Sequence, residues 1–322
     1  METTYFDGAP WLFLIVYIIT FVAGLPLNLL AFVTLIRKFR QQLVSIDILL
    51  FNLTVSDLLL LAFLPFRIVE AASGMDWFMP YVFCPLSFFM YFSSIYITSL
   101  FLMAISVERY LAVAYPIKYK LLKNPVYSVL GSVVIWILGT MHCSVVYIVE
   151  HFIPANMNKT NVTRCYDQFS PEQLKILLPV RLEMFVVLFC IPLLVTVFCY
   201  FNFVKILVAQ PRIQKEKKKR AIGLVVATLI NFILCFMPYN VSHVVGYMEG
   251  ESPLWRTYVL LLSTFNSTVD PVIFYFSSAS FKKMFLEGLL QVMNKIQLGS
   301  CWGSCMERCK KAKEDTYESH GS

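Results

Sequence analysis

Seven long runs of apolar residues divide this chain of 322 residues. Each run can cross a bilayer as an α-helix, since a span needs about 20 mainly apolar residues. Only 15% of the residues are charged, whereas soluble proteins contain about 25%. These features predict an all-α membrane protein, a bundle of seven transmembrane helices, and exclude a soluble fold. The runs cover residues 11–36, 46–69, 81–107, 126–149, 179–208, 221–247 and 254–276.

The basic residues between the runs indicate the orientation of the chain. Twenty of the 27 Lys and Arg residues follow the first, third, fifth and seventh runs, whereas the opposite side carries only Lys159, Arg164 and Lys175. The positive-inside rule therefore predicts an extracellular N-terminus. The first ten residues lack a basic region and a cleavage site, so the first run is expected to be an uncleaved anchor. The net charge of +7 is divided among short loops and indicates no binding of nucleic acid.

Four segments are predicted from this pattern. Residues 1–10 form an extracellular N-terminus, residues 11–276 form the seven-helix bundle, and residues 294–322 form a cytoplasmic tail. Between the bundle and the tail, residues 277–293 place large apolar side chains at helical spacing. This spacing predicts a short amphipathic helix on the inner face of the membrane.

Three ionisable side chains lie in the outer parts of neighbouring spans: Arg181 in the fifth, His243 in the sixth and Arg256 in the seventh. At 1.5 Å per residue, Arg181 lies about 16 Å outward of Pro192, and Arg256 about 22 Å outward of Pro271. A charge within a span costs a few kcal/mol. We therefore expect the three side chains to face the interior of the bundle, where polar groups find partners.

The helical spacing of the sixth span supports this expectation. Its polar and aromatic side chains form one stripe along the helix, made of Phe236, Tyr239, Asn240, His243 and Tyr247. A cavity that contains two guanidinium groups and an imidazole favours an anion. A carboxylate fits best, because a guanidinium meets it with two parallel hydrogen bonds. The alternative is that Asp167 or Glu183 forms a structural salt bridge with the arginines. Glu183 lies two residues from Arg181, so the two side chains point to different faces of their helix.

Each span also carries a polar or proline residue at a characteristic depth. In this set of motifs the sequence resembles a rhodopsin-like (class A) G-protein-coupled receptor over residues 10–292. Two positions depart from the usual pattern, since Phe236 stands where the family usually has Trp and Asp270 where it usually has Asn. The motifs are Gly24 to Asn28, Asn52 with Asp57, Glu108-Arg109-Tyr110, Trp136, Pro192 with Tyr200, Cys235 to Pro238, and Asp270 to Tyr275.

The resemblance implies several site residues. The expected G-protein switch consists of Glu108, Arg109, Tyr110, Tyr200 and Tyr275, in which an adjacent carboxylate holds Arg109 until a partner engages it. The alternative is that Arg109 has no switching role and only extends its charged group from the end of the helix to the membrane–water interface. A sodium ion is expected as an allosteric modulator at Asp57, Thr98, Asn266 and Asp270, with a protonated pair of carboxyl groups as the alternative. The resemblance also implies a disulfide between Cys84 and Cys165. It further implies that arrestin and membrane lipids are partners.

A closer resemblance concerns the outer cavity. The stretches LPFRIVEAASGMDW, LPVRLEM, PYNVSHVVGY and GESPLWRTYVLLLST are similar to those of the free fatty acid receptors for short-chain carboxylates. This resemblance implies that Arg181, His243 and Arg256 bind the carboxylate of acetate, propionate or butyrate. It also implies coupling mainly to inhibitory (Gi/o) heterotrimeric G proteins, with Gq as a further candidate. The expected lining is crowded and aromatic, and favours a small acid: Tyr91, Phe92, Tyr96, His142, Tyr166 and Tyr239.

Other functions are weighed against this one. A transporter of small anions is the alternative from a different class, but the second half does not repeat the hydropathy pattern and lacks paired broken helices. A receptor for a hydroxy-carboxylate, a nucleotide or a peptide is also considered. An enzyme is disfavoured, because no nucleophile with a base and no metal-ligand spacing occurs. The sequons at Asn158 and Asn161, in the second outer loop, predict a glycoprotein of the plasma membrane.

Overall fold

The computed structural model describes residues 10–277 except 81, 123, 153–164, 166–168 and 212, together with 283, 286, 287 and 290. Long helices dominate these residues, because almost every segment between the polar loops is apolar. In chain order they are α1 (Pro10–Gln41), α2 (Ser45–Ala72), α3 (Phe83–Ala114), α4 (Pro116–Leu122), α5 (Pro125–Phe152), α6 (Pro171–Met184), a π-helix (Phe185–Cys190), α7 (Ile191–Ala209), α8 (Lys215–Glu249) and α9 (Arg256–Ser277).

Six helical segments of the described chain are long and apolar enough to cross a membrane. Helix α6, the π-helix and α7 count as one of them, the continuous segment Pro171–Ala209. The seventh expected span forms helix α9, Arg256–Ser277. The predicted bundle of seven long helices is thus confirmed.

Helix α3 is the most deeply buried of these spans. It packs against α2, α5 and α7, while α9 closes the bundle between α8 and α1. Large side chains from several helices fill the core, among them Phe13, Phe101, Phe232 and Phe236. This arrangement brings the outer ends of α3, α6, α8 and α9 around one chamber.

A disulfide joins Cys84, in the first turn of α3, to Cys165. The expectation of this disulfide is therefore confirmed. Both cysteines are buried, and they pack with Phe88 and Trp77. We call the end of the bundle that carries this disulfide the outer end, and the opposite end the inner end.

The fifth span contains a π-helical turn, Phe185–Cys190, directly before Pro192. Proline has no N–H to donate and its ring displaces the carbonyl group four residues earlier, which disturbs the regular helix. A π-helical turn contains an additional residue, so it changes the direction in which the preceding side chains point. This turn therefore helps to set the orientation of Arg181 on α6.

Some predicted features lie outside the described residues: Tyr166, Asp167, Asn158, Asn161, residues 1–9 and the tail 294–322. Within the predicted amphipathic segment 277–293, the described residues 277, 283, 286, 287 and 290 are helical. The glycosylation sites and the segment boundaries stay predictions.

Candidate functional site

Arg181 lies on α6 and points into the bundle. Its side chain is almost fully buried, with 4% of the residue exposed. Its Nη1 donates a hydrogen bond of 2.8 Å to the hydroxyl oxygen of Ser252, in the loop between α8 and α9. The guanidinium also lies 5.1 Å from the centre of the Phe169 ring. The prediction that this arginine faces the interior agrees with its position.

Arg256 is the first residue of α9. Its Nη2 donates a hydrogen bond of 2.9 Å to the hydroxyl oxygen of Tyr239. Its guanidinium carbon lies 5.3 Å from the ring centre of Tyr239 and 5.9 Å from that of Phe92. Its Nε is buried and has no hydrogen-bond partner among the described residues. Arg256 therefore presents a donor that the protein leaves unused.

His243 lies one helical turn from Tyr239 on α8. Its Nε2 is 2.8 Å from the hydroxyl oxygen of Tyr96 on α3, and the Tyr239 ring meets the imidazole edge-on at 4.7 Å. Within the described part of the chain, the buried Nδ1 has no hydrogen-bond partner. The imidazole thus links α8 to α3 and keeps one nitrogen free.

These three residues border one small cavity of about 30 Å³. Three of the predicted lining residues, Phe92, Tyr96 and Tyr239, border it as well. Sequence reasoning missed four others. Three of them lie on helices that also carry predicted residues, Met184 on α6 and Val146 and Cys143 on α5. The fourth, Phe169, lies in a loop, where no helical periodicity points to it.

Two predicted lining residues do not border the cavity. The hydroxyl group of Tyr91 contacts Thr264 and the backbone oxygen of Leu260. The Nδ1 of His142 lies 2.8 Å from the backbone oxygen of Leu138, and its Nε2 lies 3.1 Å from a carboxylate oxygen of Glu183. Both side chains are therefore engaged elsewhere.

Within the described residues, the positive charge of the chamber has no carboxylate partner. Glu183 pairs with His142 rather than with an arginine, and among the described residues no carboxylate forms an ion pair with Arg181 or Arg256. The two guanidinium groups border the same small cavity, and like charges repel each other strongly where water is excluded. An anion placed between them would relieve this repulsion.

A third arginine of the outer half behaves differently. Arg67 on α2 is buried beside Glu70, one helical turn away, and the two side chains form an ion pair. Its guanidinium also lies 4.0 Å from the ring centre of Phe88. The charge of Arg67 is therefore compensated within the protein. The contrast shows that this bundle can neutralise a buried arginine, whereas no described carboxylate does so at the chamber.

The predicted sodium-site residues lie in the core, between α2, α3 and α9. Asn266 donates to Asp270 at 2.8 Å, and Asn231, which sequence reasoning missed, donates to both at 2.6 and 3.3 Å. Thr98 donates to Ser56 at 3.5 Å rather than to a carboxylate. Asn28 donates to the backbone oxygens of Gly24 and Ser267. Asp57 keeps one buried oxygen, Oδ2, without a partner in the described chain.

At the inner end, Glu108 accepts a hydrogen bond of 2.5 Å from the hydroxyl group of Tyr119 on α4. The expected pairing of Glu108 with Arg109 is not observed among the described residues. Tyr200 lies beside Arg109, but the Nη1 of Arg109 and the Tyr200 hydroxyl lack hydrogen-bond partners in the described region.

The other two predicted switch residues are also at this end. The ring of Tyr110 packs edge-on against Phe198 of α7, with 6.1 Å between the ring centres. The backbone of Tyr275 belongs to α9, and the position of its side chain is not described. The inner end thus holds the predicted residues on α3, α7 and α9.

Comparison with known proteins identifies the family. The sequence profile described as 7 transmembrane receptor (rhodopsin family) matches residues 27–274. The chain belongs to this family of receptors. Free fatty acid receptor 3 of Rattus norvegicus is 53% identical to the receptor over 88% of this chain and 89% of the relative. Free fatty acid receptor 3 of Homo sapiens is 52% identical over 89% of this chain and 82% of the relative. Free fatty acid receptor 2 of Homo sapiens is 45% identical over 98% of this chain and 94% of the relative.

These identities confirm the resemblance to the free fatty acid receptors, and they are higher for receptor 3 than for receptor 2. The receptor is thus a multi-pass protein of the plasma membrane. Its family consists of receptors and not of enzymes. Arg181, His243 and Arg256, the three residues expected to bind a carboxylate, border one cavity in this chamber, and their role as a carboxylate site stays a prediction.

Proposed function

We propose that this receptor is activated by short-chain fatty acids such as acetate, propionate and butyrate. One observation supports the proposal most directly: Arg181 and Arg256 border the same small cavity, and neither has a carboxylate partner among the described residues. The relatives named free fatty acid receptors 3 and 2 support the same ligand class. In this proposal the carboxylate accepts hydrogen bonds from both guanidinium groups, and His243 donates a further one.

The size and lining of the cavity favour a short acid. A water molecule needs about 10–15 Å³ of such a cavity, so 30 Å³ accommodates only a few heavy atoms without rearrangement. The aromatic rings of Phe92, Tyr96 and Tyr239 surround the space left for the carbon chain. A ligand of about five heavy atoms, at no more than about 1.5 kcal/mol each, reaches at best micromolar affinity.

The contacts suggest how binding reaches the inner end. Neutralisation of Arg181 and Arg256 removes their repulsion and draws the outer ends of α6 and α9 together. Arg256 is bonded to Tyr239, whose ring stacks on Phe92 of α3 at 6.0 Å. A movement of Arg256 therefore displaces Tyr239 on α8 and, through the stacked ring of Phe92, also affects α3.

A column of aromatic rings continues from there towards the inner end. Phe236, one helical turn below Tyr239 on α8, packs against Phe232, with 5.5 Å between the ring centres. Phe232 in turn stacks on Phe189 at 5.8 Å. In the proposed mechanism this column moves around the Pro238 bend and makes Arg109 accessible to a G protein. The proposed partners are Gi/o proteins mainly, Gq as a second class, and arrestin, with the N-terminus outside the cell.

We also propose a bound sodium ion as an allosteric modulator in the core. Hard cations prefer oxygen ligands, and the unpartnered Oδ2 of Asp57 meets that preference. Asp270, Asn266 and Thr98 would supply the other oxygens. The ion would offset the charge of two buried carboxylates that otherwise require protons.

A chain-length series of carboxylates tests the main proposal. Cells that express the receptor are treated with formate to hexanoate, and inhibition of cyclic AMP formation is measured with and without pertussis toxin. We expect the largest responses between two and four carbons, and we expect the toxin to abolish them. Uptake of radiolabelled propionate without any G-protein signal would instead indicate a transporter. Responses to nucleotides or peptides alone would refute the carboxylate assignment.

A further inference from the structure

The hydroxyl group of Ser252 is placed beside Arg181 by the loop between α8 and α9. The loop begins at Gly250, which ends α8 with a positive φ of 74°, a conformation that favours glycine. It then packs closely against Gly246 in the last turns of α8. A Cβ atom at Gly246 would lie 2.9 Å from the backbone oxygen of Glu251 and 3.1 Å from Pro253. The absence of that atom lets the loop reach the chamber.

We propose that Ser252 is a positioning residue of the anion site, which holds the Arg181 guanidinium in the orientation that receives the ligand. The inference rests on the proposed function. Ser252 is half-buried and accepts a hydrogen bond of 2.8 Å from Arg181, the only one that this guanidinium forms within the described residues. An arginine side chain has several freely rotating bonds and loses much conformational entropy when it is fixed. A fixed guanidinium therefore binds a carboxylate more tightly than a mobile one.

The chemical character of Ser252 supports this role. A carboxylate in its place would orient the guanidinium but would also cancel its charge, as Glu70 does for Arg67. A neutral hydroxyl group orients Arg181 and leaves the positive charge for the ligand. The same loop leads into Arg256, whose backbone N–H donates to the backbone oxygen of Pro253 at 3.1 Å. Ser252 thus also links the positions of the two guanidinium groups.

Two substitutions of Ser252 and one control test the inference. Ser252→Ala removes the acceptor, while Ser252→Thr keeps a hydroxyl group at the same position. The control is Ser144→Ala on α5, where the hydroxyl group only donates to the backbone oxygen of Met141 in its own helix, at 2.7 Å. Propionate concentration–response curves are measured by inhibition of cyclic AMP formation, with surface expression of each variant matched by antibody staining.

We expect Ser252→Ala to raise the half-maximal propionate concentration about tenfold or more, because hydrogen bonds to charged groups are among the strong ones. The half-maximal propionate concentration of Ser252→Thr should stay within about threefold of the parent value, and that of Ser144→Ala should equal the parent value. A second variant, Gly246→Ala, should act in the same direction as Ser252→Ala, since its Cβ displaces the loop.

The outcomes separate this inference from the proposed function. Parent-like potency of Ser252→Ala, or an equal loss in Ser252→Ala and Ser252→Thr, would overturn the positioning role while the receptor still responds to carboxylates. An equal loss in Ser144→Ala would also overturn it, because the effect would then not depend on Arg181. If the parent receptor does not respond to any carboxylate, the proposed function fails and the role of Ser252 fails with it.

Discussion

The hydroxyl oxygen of Tyr119 lies 2.5 Å from a carboxylate oxygen of Glu108, so the short helix α4 is attached to the end of α3. Burial, together with the hydrogen bond to Glu108, raises the pKa of Tyr119. The hydroxyl group therefore keeps its proton at physiological pH and acts as the donor. As long as this bond holds, Glu108 is occupied and Arg109 beside it has no ion pair in the described chain.

Replacing Tyr119 by Phe should release Glu108 to pair with Arg109. We expect basal G-protein signalling to fall about fivefold, since roughly 1 kcal/mol from a single hydrogen bond corresponds to that ratio. Basal inhibition of cyclic AMP formation at matched surface expression measures the effect. The double variant Tyr119→Phe with Glu108→Gln should regain the lost signal. Unchanged or higher basal signalling in Tyr119→Phe would contradict the prediction.

Replacing either chamber arginine by Ala should greatly weaken the response to propionate. The loss of one partner from a buried charged hydrogen bond costs about 2 kcal/mol or more, which is roughly a 30-fold loss of potency. Arg181→Lys and Arg256→Lys should lose less, because they keep the charge but not the paired donors. Glu183→Gln is the matched control on the same helix, and it should respond like the parent. A full propionate response from Arg181→Ala would refute the assignment.

Shortening Met184 should change the preferred length of the acid. This side chain borders the cavity and is buried, so Met184→Ala creates room for additional methylene groups. Each buried methylene contributes about 0.8 kcal/mol, or roughly a fourfold gain in potency. We expect pentanoate and hexanoate to gain potency relative to propionate. The control is Met103→Ala on α3, whose side chain packs against the core without bordering the cavity; an equal shift there would contradict the explanation.

Removing a carboxylate from the core should abolish the effect of sodium on agonist potency. We expect propionate to act at lower concentrations when choline replaces sodium, and Asp57→Asn to show no such difference. The control is Asp47→Asn, which removes a buried carboxylate that pairs with Lys38 at 2.6 Å and lies away from the proposed ion. Sodium dependence that survives in Asp57→Asn would exclude the proposed site.

The sequence predicted the large-scale arrangement because hydrophobic length, charge asymmetry and helical spacing determine it. Arg181 and His243 were expected inside the bundle, and both are buried. The helical stripe on α8 failed at one position: Tyr247, expected to face inward with His243, is 48% exposed. It lies in the last turn of α8, where the helical spacing continues but the burial of the stripe ends.

Contacts made by loops were beyond the reach of periodicity. Ser252 and Phe169 both reach Arg181 from segments without a repeating pattern. Glu108 was expected to hold Arg109 because the two are adjacent in sequence, yet Tyr119 competes successfully for the carboxylate. Which partner a side chain binds depends on the distances between helices, and the residue pattern of a single span does not determine those distances.

The polar character of α9 has a consequence for the synthesis of the receptor. Asn266 and Asp270 of α9 are bonded to Asn231 of α8, and Asn28 of α1 donates to a backbone oxygen of α9. Isolated in lipid, these groups would lack partners and oppose insertion. We therefore expect α9 to insert stably only after α1 and α8 are already in the bilayer, so that the last helix to be synthesised completes the bundle.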